Sequence, residues 1–179
     1  MAGIAPDRLV FLDETHTPTT LTPPRARAPR GERAIGRVPR GRWETCSWLA
    51  TLTPDGIGPS VVVPGPVAGL VFDTFVAHEL APTLRPGQIV IWDNLSVHKS
   101  PRARAAIEAV GCQVAFLPTY SPDLNPIELA FAKSKPHLRR AEPRAFDAVV
   151  AALGAALATI TPADARAFYR AAGYPLRPT

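Results

Sequence analysis

Three acids in this sequence stand where carboxylate chemistry is possible. Asp13 closes a short apolar run, Arg8 to Asp13; Asp93 follows a second, Gln88 to Trp92; and Glu128 opens the segment after a third, Gln113 to Leu117. Apolar runs of this length read as buried strands, and the stretch beginning at Asn125-Pro126 reads as a helix start. Carboxylates gathered at neighbouring strand ends raise one another's pKa, so they do not all stay ionised without a cation between them. Oxygen donors of this kind suit hard divalent ions, above all magnesium. Two such ions about 4 Å apart activate an attacking water or hydroxyl and stabilise the leaving oxygen in a phosphoryl displacement.

Each acid also has a purely structural alternative. Glu128 lies three residues after Asn125, the spacing of a helix cap with its reciprocal acid. Asp93-Asn94 fits a turn, and Asp13-Glu14 fits the start of a polar loop. Another chemistry places a covalent aspartate nucleophile after a first apolar strand, as phosphatases do. Such enzymes usually carry a second aspartate two residues on, where this chain has Thr15.

The elements that must position the acids are legible in outline. After the first strand, residues 16–42 are rich in Pro, Thr and Arg and follow neither a strand nor a helix period, as a long excursion does. Glu44 to Thr53 and Ser60 to Val63, parted by Pro54-Asp55-Gly56, read as an antiparallel hairpin. Val67 to Leu84 places Leu70, Val71, Phe75, Val76 and Leu80 at helical spacing, and Ser100-Pro101 starts a second helix that runs to Gly111. From about residue 125 the chain is helical, with further helices over 144–160 and after Thr161. Trp43 and Trp48 are expected to pack in the core or the hairpin. This order predicts an α/β fold, a mixed sheet covered by helices.

Composition narrows the class. Of 179 residues 46% are hydrophobic and 20% charged, which excludes a disordered or fibrous chain. The net charge of +5 is uneven: residues 25–42 hold seven arginines and one acid, and the rest of the chain is close to neutral. A local anionic partner accounts for such a segment, as does a solvated loop. Lys133, Lys135, Arg139, Arg140 and Arg144 form a second basic stretch, for which an ordinary solvated helix face is the alternative. The two cysteines, Cys46 and Cys112, match neither a disulfide framework nor a zinc site, which favours a reducing, cytoplasmic setting. The apolar stretch ending at Ile160 is shorter than the roughly 20 residues a bilayer requires, so no membrane partner is expected.

Phe11-Leu12-Asp13-Glu14-Thr15, Trp92-Asp93-Asn94 with His98-Lys99, and the run Tyr120 to Glu128 (YSPDLNPIE) together resemble the three catalytic blocks of the DDE transposases of bacterial insertion sequences related to the mariner elements. The 34 residues between Asp93 and Glu128 match the short spacing of that family. The resemblance implies one catalytic domain over 1–179 with a ribonuclease H-like fold, a five-stranded mixed sheet flanked by helices. It implies that Asp13, Asp93 and Glu128 bind two Mg2+ or Mn2+ ions, and that the site hydrolyses a phosphodiester at a transposon end and directs the freed 3′-hydroxyl onto target DNA. Asn94, His98 and Lys99 would then support the ligands or contact phosphate. Arg25, Arg27, Arg30, Arg33, Arg37, Arg40 and Arg42, with Lys133, Lys135, Arg139 and Arg140, would hold DNA. Relatives act as dimers and carry helix-turn-helix domains before the catalytic domain. Only 12 residues precede Asp13 here, so the expectation is a catalytic half without that domain: a split gene whose other frame supplies the reader, or an inactive remnant that only binds DNA. Pro136, inside the helix that carries Glu128, departs from the family pattern and is expected to kink that helix.

Overall fold

The apolar runs build one five-stranded sheet in the order β3-β2-β1-β4-β5. The computed structural model describes residues 5–36, 38–40, 43–94 and 96–176. Its strands are β1 (Leu9–Pro18), β2 (Thr45–Thr53), β3 (Gly56–Pro64), β4 (Ile89–Trp92) and β5 (Gln113–Phe116). β1 runs antiparallel to β2 and parallel to β4, β2 is antiparallel to β3, and β4 is parallel to β5. The hairpin turns at Pro54-Asp55, and Gly56 holds a φ of +130° that a side chain would strain.

Alternation along β1 sends Leu9 and Phe11 to one face and Val10 and Leu12 to the other. The first face is covered by α3 (Pro126–Ala141), α4 (Phe146–Leu157) and α5 (Pro162–Ala171), through Phe131, Val149, Leu153 and Tyr169. The second is covered by α1 (Gly69–Phe75) with the wider turn Val76–Leu80 that continues it, and by α2 (Pro101–Ala109). Ser100 caps α2, and Thr161 with Asp164 forms a capping box on α5. Among the described residues no helix is long and apolar enough to cross a membrane.

Several sequence expectations need correction. β1 does not stop at Asp13: pairing continues from Asp13↔Ala50 to Pro18↔Thr45, because β2 supplies an antiparallel partner that the Thr-rich segment can use. The excursion therefore starts at Thr19, not 16. β5 is an edge strand and only partly buried. Leu70 is exposed, the buried face of α1 being Phe72 and Phe75. Trp48 is core, stacked edge-on against Phe131 at 4.8 Å, whereas Trp43 is 62% exposed. The expected kink at Pro136 leaves α3 a single helix, which runs on to Ala141.

The excursion has a closed neck. Thr19 and Glu44 pair through Thr19 N to Glu44 O (2.9 Å) and Glu44 N to Thr19 Oγ1 (3.1 Å). Arg144, just past α3, donates to the carbonyls of Thr19 (3.2 Å) and Leu21 (2.7 Å). Its guanidinium thus fixes the root of the arginine segment to the helical layer instead of adding to a DNA-facing surface.

Tyr169 locks α5 onto the sheet. Its buried hydroxyl shares a proton between the carbonyls of Leu9 (2.7 Å) and Leu52 (3.0 Å). Burial pushes its pKa far above the ordinary tyrosine value, helped by Tyr174 and Asp55. The unfolded chain loses this proton above about pH 10 while the folded one keeps it, so the contribution is intact below pH 10 and declines as pH rises, by about 1.4 kcal/mol per unit. Urea unfolding at pH 9 and pH 11 should show this decline. Tyr169→Phe should remove most of it, at a cost of roughly 1–3 kcal/mol at neutral pH for two carbonyls left without their donor.

Candidate active site

The three acids meet at one end of the parallel strands. β4 pairs with β1 only from Leu9 to Phe11, so Asp13 lies just beyond the last parallel pair, and Asp93 follows Trp92, the last residue of β4. The carboxyl ends of parallel strands are where open α/β sheets place their ligands. Glu128 enters from the first turn of α3. Asp13, Asp93 and Glu128 line a single cleft of about 360 Å³, together with Asn94, Asn125 and the loop from Leu117 to Pro122.

Asp13 is 8% exposed. Its Oδ1 accepts from the Glu14 amide at 2.8 Å and its Oδ2 from Asn125 Nδ2 at 2.7 Å. Burial drives its pKa up to about 7; the Glu14 amide opposes the rise, and the charges of Glu14, Glu128 and Asp93 add to it. Each oxygen accepts one hydrogen bond and keeps a further lone pair for a ligand. The Asn125 side chain makes no cap bond to α3, so the capping alternative for Asn125 and Glu128 does not hold.

Because the strand alternates, Glu14 points to the opposite face from Asp13, toward α1. There His98, in the turn Ser96–Lys99, is fully buried and stacked 4.6 Å from Phe72. Its Nε2 donates to Glu14 Oε2 at 2.9 Å and its Nδ1 donates to Asp93 Oδ1. Burial works against the charged ring, but the two carboxylates outweigh it and raise the pKa to about 9. His98 is thus a buried imidazolium bridging β1 to the residue after β4. It does not line the cleft; it holds the Asp93 carboxylate from behind.

The other expected residues divide. Asn94 is exposed and lines the cleft; Lys99 is exposed but outside the lining. Arg25, Arg27, Arg30, Arg33 and Arg40 are all exposed on the excursion, while Arg37 and Arg42 lie outside the described residues. On α3, Arg140 is exposed and Lys135 and Arg139 are half-buried. Lys133 leaves the DNA-facing set, because its ammonium is spent on Asp164 Oδ2 (2.7 Å) and the Thr159 carbonyl (3.0 Å), tying α3 to α5. Glu14 and Asn125 were not expected in the site. Their only sequence signals are adjacency to Asp13 and the place three residues before Glu128.

The donor set fits a hard cation. Acids from three elements face one cleft, Asp13 is crowded by like charge, and Asn125 Oδ1 is buried without a partner. The described residues do not gather three such groups into a ready-made coordination shell. Substrate phosphates and water commonly complete the ligand set of magnesium.

A five-stranded mixed sheet with helices on both faces and acids at this edge is the ribonuclease H-like fold. The chain belongs to the DDE superfamily endonucleases, whose family model matches residues 8–149. Among solved structures it is similar to the Mos1 strand transfer complex, with a TM-score of 0.70 and 20% identity over 93% of this chain and 51% of that one. It is likewise similar to the Mos1 mariner paired end complex with Mn (TM-score 0.68, 20% identity, 93% and 52% covered). The catalytic domain of Mos1 mariner transposase gives a TM-score of 0.64 at 15% identity, with 93% and 76% covered. The chain thus spans about half the length of the Mos1 chains in the complexes. No curated protein matches it in sequence.

Proposed function

We propose that this chain is a single catalytic domain of a transposase of bacterial insertion sequences related to the mariner elements. It would act in the cytoplasm, cut a phosphodiester at the element's end, and join the freed 3′-hydroxyl to target DNA. The observation that carries this reading is the convergence of Asp13, Asp93 and Glu128, from three separate elements, on one cleft. These acids would hold two Mg2+ or Mn2+ ions. Such ions supply Lewis acidity and lower the pKa of an attacking water. His98 holds Asp93 and Glu14 in place from behind, and Asn125 holds Asp13. The neck clamped by Arg144 presents the arginines to the DNA backbone. A homodimer on paired ends completes the proposal.

Nicking of supercoiled plasmid and joining of a pre-cut end, both in Mn2+ and abolished by EDTA, are the expected results. A chain that binds no divalent ion and cuts nothing contradicts the reading. A chain that binds plasmid but never nicks it is the remnant instead.

The excursion makes its own prediction. Each phosphate contact contributes about 0.9 to the slope of log K against log salt on duplex DNA. Changing Arg25, Arg27, Arg30, Arg33 and Arg40 together to glutamine should lower that slope by up to about 4.5, whereas Lys133→Gln should leave it unchanged. Fluorescence anisotropy across a salt series measures both.

A further inference from the structure

We infer that Asn125 is a positioning residue for the cation-binding acids: it ties Asp13 to the helix that carries Glu128 and offers its amide oxygen to the cation's hydration shell. The inference rests on the metal-dependent reading above.

Asn125 has the backbone of a capping residue but not the role. Its φ of −110° and ψ of 96° are extended, as the following Pro126 requires, and the Glu128 amide bonds to its carbonyl at 3.2 Å. Proline in the first turn, with no amide of its own and a fixed φ, sets the direction in which the helix leaves. The side chain, which in a cap would accept from the first-turn amides, turns away and donates Nδ2 to Asp13 Oδ2 at 2.7 Å. One residue therefore spends its main chain on the Glu128 helix and its side chain on Asp13.

The other half of the amide is unspent. Asn125 is 5% exposed and lines the cleft, and its Oδ1 is buried with no partner. A buried acceptor left unpaired costs roughly 1–3 kcal/mol, and native proteins keep such groups where something else satisfies them. A carboxamide both donates to a carboxylate and accepts from water. Serine at this position caps a helix as well as asparagine but is too short to span to Asp13, and aspartate would repel it.

The test is Mn2+ binding by the full chain, read as free Mn2+ by electron paramagnetic resonance. Asn125→Ser and Asn125→Ala should weaken binding by about 10- to 100-fold, the range typical of residues that orient metal ligands. In an Asp13→Ala background, Asn125→Ser should weaken it clearly less, because the tie to Asp13 is already lost and only the contact to the hydration shell remains. Wild-type affinity in Asn125→Ser overturns the inference, since it is what a capping residue would give. A loss in the Asp13→Ala background as large as in the wild type overturns it also, since the tie to Asp13 would then contribute nothing. A readout on the unaltered protein does not depend on how the variants fold: the Asn125 side-chain amide resonances should shift on adding Mg2+ and saturate with the binding isotherm. Resonances that stay still while Mg2+ binds overturn the inference and leave the functional reading intact; a wild-type chain that binds no divalent ion overturns both.

Discussion

Asp13→Asn is expected to stabilise the metal-free protein and abolish strand cleavage. The Asp13 carboxyl is nearly buried and sits among the charges of Glu14, Glu128 and Asp93. Replacing it with a neutral amide of the same shape removes the desolvation penalty and the repulsion together. The hydrogen bonds survive: the side-chain oxygen of the new residue still accepts from the Glu14 amide, and Asn125 can turn its carboxamide to accept from the new NH2 group. A gain of about 1–2 kcal/mol is expected in the absence of divalent ions, of the size found when a strained functional residue is relaxed. Cleavage should fall about a thousandfold or more, because divalent-ion chemistry supplies several kcal/mol and each 1.4 kcal/mol is tenfold. Thermal unfolding with and without Mg2+, alongside plasmid nicking, checks both halves. The wild type should gain stability from Mg2+ and the variant should not. A variant less stable than wild type in EDTA contradicts this description of the site.

His98→Ala should do the reverse, destabilising the fold and cleavage together. The imidazolium is fully buried between Glu14, whose side chain is 10% exposed, and Asp93, at 33%. Its removal leaves one carboxylate nearly buried and another partly so, both without their cation. Removing one partner of a buried ion pair costs about 3–5 kcal/mol, and the exposure of Asp93 puts the expectation at about 3 kcal/mol. His98→Gln keeps a single donor group and should recover part of the loss. Urea midpoints for the three proteins measure the difference. A loss under about 1 kcal/mol would mean that the bridge contributes no more than a surface pair.

The parts that the sequence makes legible are those decided locally. Ile89 to Trp92 is an unbroken apolar run, so β4 and the position of Asp93 after it follow directly, and Thr161-Pro162-Ala163-Asp164 announces α5 through its cap. What depends on a distant partner is not legible. The end of β1 is set by pairing with β2, so the Thr-rich segment after Asp13 gives no local sign that it is strand. His98 turns inward because Glu14, 84 residues away, meets it there, and Asn125 leaves its cap position because Asp13 lies 112 residues away in sequence but 2.7 Å away in space. Lys133 reads in sequence as part of a basic face, and only the fold sets Asp164 of α5 against it. The arginine segment is legible as charge, but its neck is closed by Thr19 with Glu44 and tied to the helical layer by Arg144, more than a hundred residues further along the chain.

Metal-dependent cleavage by the acid variants is the most direct test of whether Asp13, Asp93 and Glu128 work as one unit. Plasmid nicking in Mn2+ should be measured for wild type, Asp13→Asn, Asp93→Asn, Glu128→Gln and the triple variant. Residues that act as a unit are strongly non-additive, so each single substitution should fall to the same residual rate as the triple. A single variant that cuts at the wild-type rate, or losses that accumulate from single to triple, would contradict a shared site.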